Sequence, residues 1–268
     1  MMRAFIFGLL ALLAGPAAAA QILVYGDLAR DRDAAPGQTY EEVVAIHNPT
    51  EEPQQARLYL RDYAFAADGT NAYDEPGSRP RSNAAWVTFA PPVLTVPPGE
   101  TIPVVVTVAV PADADGGSHW SMLMVEGIPP TSAESTLRPA SGTGEVRFEV
   151  NERVRYGIQL ASHLPAGTAQ AEVLAVELQS RPDGSRVLAA DVTNTGDRMF
   201  TGPVYIDVFD ASGAAQGRID GSSARVYPGT SFRHRVDLSG LDPGVYEALF
   251  VIDGGEQGLF GAQYTLEL

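Results

Sequence analysis

The sequence predicts an all-β protein of two tandem immunoglobulin-like β-sandwiches behind an export leader. Three observations predict it. Short runs rich in Val, Ile and aromatic residues recur along the chain, each bounded by Gly, Pro, Asn or Asp turn chemistry. Helical periodicity is nearly absent after the first twenty residues. The strand–turn pattern then starts afresh past residue 165, at a spacing typical of sandwiches.

The leader comes first. Arg3 precedes the apolar run AFIFGLLALLAG, which ends in PAAAA. A basic start, a short apolar core and a small-residue end make a signal peptide over residues 1–20, cleaved after Ala20. The run is too short for a comfortable membrane span, so none is expected in the mature chain. Export places the protein in the periplasm, with the extracellular space as the alternative. The chain has 33 acidic residues against 18 basic ones, a formal net charge of −15. There is no Lys, and an acidic surface of this kind argues against nucleic acid as a partner. Cysteine is also absent, which rules out disulfides and thiolate metal sites. The fold must hold by burial, over a first domain spanning 21–165 and a second spanning 166–268.

In the first domain the strand candidates are EVVAIHN, ARLYLRDYAF, AWVTF, IPVVVTVAVP, WSMLMVEG and EVRFEVNERVRYGIQL. The second domain repeats the style with AEVLAVELQ, RVLAADVTN, PVYIDVFD, FRHRVDL, VYEALFVID and AQYTLEL. Turns such as RPDGS, NTGD and LDPG separate them, and their Gly and Asn supply the positive φ of hairpins.

Signs of catalysis are scarce. No nucleophile elbow, phosphate loop, dinucleotide fingerprint or His-Glu-x-x-His pair occurs. His47, His119, His163 and His234 are scattered and lack flanking motifs. No catalytic residue, metal site or cofactor is therefore expected. GSHWSMLMVEG places His119 near Met122 and Met124, which suggests copper. On a strand, however, side chains alternate, so His119 and the two Met face opposite sides. The stretch reads better as the strand before the last of the first sandwich, with Trp120, Met122 and Met124 in the core. The loop PADADGG has Asp113 and Asp115 but lacks the further ligands of a calcium loop.

The most informative stretch is residues 145–160. Val146, Phe148, Val150, Val154, Tyr156, Ile158 and Leu160 alternate onto one face, far beyond a usual strand of about five or six residues. A loop rich in Pro, Ser, Thr and Gly precedes it, over 128–144. Such a strand either pairs wholly within its own sandwich or offers its edge to another chain by strand addition. In the second case Val146, Phe148 and Val150 fill the partner's pockets, and Arg153 and Arg155 steer an acidic end.

The order of sandwich, loop, alternating strand, short linker and second sandwich resembles the periplasmic pilus chaperones of the PapD type. The resemblance implies a chaperone for pilus assembly, whose last strand of domain one completes a subunit's fold. It also implies basic residues in the interdomain cleft that hold the subunit's terminal carboxylate. Arg153 or Arg155 is the match on the last strand. On the first strand only Arg30 and Arg32 are present, late and in an acidic setting. The first domain, over residues 35–73 and on through Trp86 and LTVPPGETIPVVVTVAVPADADGGSHWSMLMVE, is also similar to the N-terminal domain of WxL-interacting bacterial surface proteins. That similarity implies binding to peptidoglycan and to partner proteins.

Two functions follow. One is a non-catalytic periplasmic chaperone or adaptor whose partner is a secreted or surface-fibre subunit. The other is a peptidoglycan- or glycan-binding module, or a scaffold of the cell envelope. Its sugar-stacking residues would be Tyr63, Phe65 and Tyr73.

Overall fold

The computed structural model describes residues 22–129, 136 and 153–268. The expected leader and the expected contact residues Val146, Phe148 and Val150 lie outside them. The protein is all-β, with two immunoglobulin-like sandwiches following one another along the chain.

The first sandwich has two facing sheets. One contains β1 (Leu23–Tyr25), β3 (Thr39–His47), β8 (Thr101–Ala109) and β6 (Val87–Phe89), in the order β1-β3-β8-β6. The other contains β2 (Ala29–Asp33), β10 (Arg155–Leu164), β9 (Gly117–Ile128), β4 (Gln54–Phe65) and β5 (Asn71–Asp74), with β7 (Val93–Val96) also paired to β4. The first segment of the chain serves both sheets. β1 pairs antiparallel with β3, whereas β2 pairs parallel with β10. Gly26 makes the crossing at φ +94°, a backbone region that side chains resist.

The core forms where alternating residues of the two sheets meet. Val44, Ile46, Val104, Val106 and Val108 come from one side, and Leu58, Leu123, Val125, Ile158 and Leu160 from the other. Period-two alternation therefore works as expected along β10: Tyr156, Ile158 and Leu160 all point inward. β10 also runs on through Ala161 to Leu164, four residues past the end of the expected run at Leu160.

In β9 the expected faces are exchanged. Leu123 and Val125 fill the core, while Met124 lines a groove on the outer face of the sheet. Every residue of β9 is nonetheless buried, because both faces of this central strand are covered. Composition misled here: large sulfur and aromatic side chains suggested a core face, but Leu and Val occupy it.

The second sandwich is a seven-stranded sheet folded over on itself. Its order is β11 (Ala171–Ser180), β12 (Arg186–Asn194), β15 (Ser231–Asp237), β14 (Ala215–Val226), β13 (Phe200–Asp210), β16 (Val245–Asp253) and β17 (Leu259–Glu267). Phe200, Ile206, Leu188, Val236, Leu238 and Phe250 are among the residues of its core.

The two sandwiches meet at the end of β9 and β10. Trp120 packs on Tyr227 with ring centroids 4.7 Å apart, and Ala161, Phe65 and Met199 complete that cluster. The Trp120 indole N–H donates to the Tyr63 carbonyl at 2.7 Å, which fixes the ring. Asp31 accepts from the Tyr227 hydroxyl at 3.2 Å and pairs with Arg225 at 3.1 Å. The Ser118 N–H donates to the Asp197 carbonyl and the Met199 N–H to Ser118 Oγ, so backbone also crosses the junction. Gly117 permits this approach. Its φ is +95°, and a Cβ there would sit 2.1 Å from the Asp197 oxygen.

Gly117→Ala is therefore expected to cost about 1–3 kcal/mol, through backbone strain and loss of the junction contact. Thermal unfolding would show it as a lowered midpoint, with interdomain geometry by small-angle scattering changed as well. An unaltered midpoint and shape would contradict the close-approach account.

Candidate partner-binding site

The outer edge of β10 is only partly covered. β2 pairs with residues 159–163, and its last bond runs from the Gln159 N–H to the Leu28 carbonyl at 2.7 Å. Before that point β1 has left for the other sheet. Among the described residues, no strand pairs with the outer edge of Arg155–Ile158. The inner edge is fully used, with β10 and β9 in continuous antiparallel register from Arg155↔Glu126 to Leu164↔Gly117. The Gly127 N–H continues that ladder to the Val154 carbonyl.

Beside this open edge lies a groove of about 950 Å³ on the outer face of the sheet. Its lining includes Arg57, Tyr59, Met124, Glu126, Arg153 and Arg155. Glu126 is its electrostatic centre, with a side chain only 3% exposed. Arg155 Nη2 lies 3.2 Å from Glu126 Oε2, Arg153 Nη1 lies 3.3 Å from Oε1, and Arg57 Nη2 lies 3.8 Å from Oε1. The Tyr59 hydroxyl donates to Glu126 Oε2 at 2.9 Å. Burial works to raise the Glu126 pKa. The Tyr59 hydrogen bond, then the charges of Arg155 and Arg57 and the bond from Arg153, outweigh it and hold the carboxyl below its ordinary range.

The structure thus brings the expected Arg153 and Arg155 together on one buried carboxylate. Their side chains stay 45% and 54% exposed, so each guanidinium, with five donors, keeps N–H groups facing the groove. This arrangement can receive a further carboxylate from solvent by charge-assisted hydrogen bonds. It does not sit in the interdomain cleft. Arg155 is nine residues before Leu164 at the junction end, roughly 30 Å away along an extended strand. The cleft, a space of about 290 Å³, is lined instead by Arg79, Arg81, Trp120 and Thr230 among others. The sequence reading missed Arg79 and Arg81. The signal was the SRPR run, where Pro80 holds two arginines in a loop. Arg79 pairs with Asp74, and Arg81 donates to the Gly116 carbonyl and faces Asp197. Arg32, expected on the first strand, lies on β2 and is bound to Glu42 at 2.8 Å.

Ser118, His163 and Asp31 form a chain that superficially resembles a hydrolytic relay. Ser118 Oγ lies 2.8 Å from His163 Nδ1, and His163 Nε2 lies 3.2 Å from Asp31 Oδ1. Ser118 is fully buried, however, and its Oγ already accepts the Met199 N–H. A substrate has no approach to it, so the chain acts as a pin between the sandwiches. The His119 ring packs at a tilt against Trp86, with centroids 4.7 Å apart, and bonds the Asp115 carbonyl, while burial lowers its pKa. Met199 sits at the junction, bonded through sulfur to Thr201 rather than joining Met122 and Met124. Tyr63 and Tyr73 face each other directly across β4 and β5 at 5.1 Å, and the Tyr63 hydroxyl donates to Asn71. These aromatics pack cross-strand.

No protein-family model and no curated protein sequence matches the chain. Among solved structures, the chain is similar to one from a chaperone–tip adhesin complex of CFA/I fimbriae biogenesis. That match covers 92% of this chain and 98% of the other at 12% identity, with a TM-score of 0.48. The class 5 fimbriae chaperone CfaA matches over 92% of this chain and 100% of its own, at 12% identity and a TM-score of 0.47. The E. coli chaperone DraB matches over 93% and 100%, at 14% identity and a TM-score of 0.43.

Replacing Glu126 by Gln leaves three guanidiniums without their buried counter-charge. A loss of about 1–3 kcal/mol in unfolding free energy is expected. The depressed pKa also predicts a pH dependence. The Glu126 contribution is complete above its ordinary value of 4.5 and is lost as pH falls through its lower folded-state value. Denaturant titrations between pH 7 and pH 3 should therefore show a difference between wild type and Glu126→Gln that narrows in acid.

Proposed function

We propose that the protein is a non-catalytic, exported chaperone or adaptor for a secreted or surface-fibre subunit. It acts in the periplasm and binds by β-strand addition to the outer edge of β10. The single observation that carries this reading is the edge at Arg155–Ile158, unpaired among the described residues, which continues in sequence the alternating run that begins at Val146. An uncovered edge with apolar alternation is a template for another strand. Its main-chain groups supply affinity, and its alternate side chains supply selection.

In this proposal residues 21–165 carry the binding edge and 166–268 form the second domain. The partner's strand lies along β10, extended by residues 145–151. Val146, Phe148 and Val150 enter the partner's own core, replacing contacts that the subunit lacks before assembly. Arg153 and Arg155 hold an acidic group of the partner over the groove. Glu126 keeps both guanidiniums oriented, so little side-chain freedom is lost on binding.

Val146→Glu combined with Phe148→Glu should abolish recovery of co-purified secreted protein from periplasmic extract while the chain's thermal midpoint holds. Arg153→Ala with Arg155→Ala should weaken recovery by about tenfold and reduce its salt sensitivity. Unchanged recovery in the first double variant would overturn the proposed contact.

A further inference from the structure

The other sandwich also has open strand edges. In the first sandwich the seam between the opening and closing strands is bridged, because β2 crosses over and pairs parallel with β10. The second sandwich lacks that crossing. β11 pairs along its length with β12, and β17 pairs only with β16. Among the described residues, both strands are sheet edges on either side of an open seam.

That seam is a groove of about 330 Å³, lined by Ala171, Val173, Phe250, Phe260, Ala262 and Tyr264, among others. Its floor is the core itself, since Phe250 is buried there and Phe260 and Tyr264 pack against the same cluster. The strands of the sheet are antiparallel at every step, and there are seven. An odd number leaves the two edges running in the same direction. One added strand can then run antiparallel to both. Packed sheets lie about 10 Å apart and paired strands about 4.8 Å apart, so a single strand fits the gap.

β17 also lacks the usual protection of an edge. It is nine residues long, carries no Pro, Lys or Arg, and pairs with β16 without a bulge. Its first residue, Leu259, is 67% exposed. Charge indicates the occupant. Glu172, Glu177 and Glu267 are exposed along the two edge strands, and neither strand has a basic residue. A second copy of this chain, with its net charge of −15, would be repelled.

We propose that the β11–β17 seam binds an extended segment of another protein, antiparallel to β17, with alternating apolar side chains and flanking Lys or Arg. The bound strand places its apolar side chains over Phe260 and Tyr264 and its cationic flanks beside Glu172 and Glu267. The site is separate from the β10 edge and does not depend on it.

The test uses the mature full-length chain and a fluorescein-labelled peptide, Arg-Val-Thr-Val-Ser-Val-Thr-Val-Arg, with a control in which both Arg are Glu. Saturable binding of the basic peptide is expected at low ionic strength, with slowed amide exchange across β17. The acidic peptide should bind roughly tenfold more weakly, and Glu172→Lys with Glu267→Lys should reverse that preference. The Val146→Glu, Phe148→Glu variant should bind the basic peptide as wild type does, which separates this site from the β10 edge. The proposal is overturned by no saturable binding, by exchange protection at β10 alone, or by peptide-independent dimers that protect β17.

Discussion

The pairing of β9 with β10 is the interaction on which the rest of the structure depends. It runs unbroken from Arg155↔Glu126 to Leu164↔Gly117. Its inner face puts Leu123, Val125, Ile158 and Leu160 into the core of the first sandwich. Its junction end carries Ser118 and Trp120 to the second sandwich, and holds His163 against Asp31, which in turn bonds Tyr227. Its far end holds Glu126 beneath Arg153 and Arg155. One ladder therefore fixes the core, the interdomain angle and the charged groove together. A slip of one residue would turn the core face outward and take Glu126 out of reach of the arginines.

The candidate site shows why a buried carboxylate is useful on a binding surface. Alone, Glu126 would be costly to bury. Surrounded by Tyr59 and three guanidiniums it remains charged, and it holds two half-exposed arginines in place. Pre-orientation of this kind reduces the entropy lost when a partner's acidic group arrives. In the proposed function the edge beside it would give the main-chain ladder, so recognition would join a general element with a selective one.

Much of the fold was legible in the sequence because turn chemistry and period-two alternation are local. Most strands were found, and the inward set Tyr156, Ile158 and Leu160 was assigned correctly. β14 was missed. AQGRIDGSSARV has little strand propensity, and it holds its place through ladders with β13 and β15 rather than through its own composition. β1 and β2 were read only as one opening strand, through the resemblance and not from composition: they are short pieces divided at Gly26, each stabilised by a different sheet. The face of β9 was misassigned because both faces are covered, so residue size carried no directional information. In the site, Arg153 and Arg155 stood out through alternation. Glu126 did not, because its partners come from β4 and from the start of β10, far apart in sequence. The open β11–β17 seam was equally illegible, since it arises from a crossing that one sandwich makes and the other omits.

In the proposed function the outer edge of β10 accepts a strand from another chain. Hydrogen–deuterium exchange on the protein purified with its bound partner, compared with the partner-free chain, tests it most directly. Slowed exchange through residues 145–158, with 159–163 unchanged because β2 already covers them, is the predicted result. Protection elsewhere with unchanged exchange along residues 145–158 would contradict it.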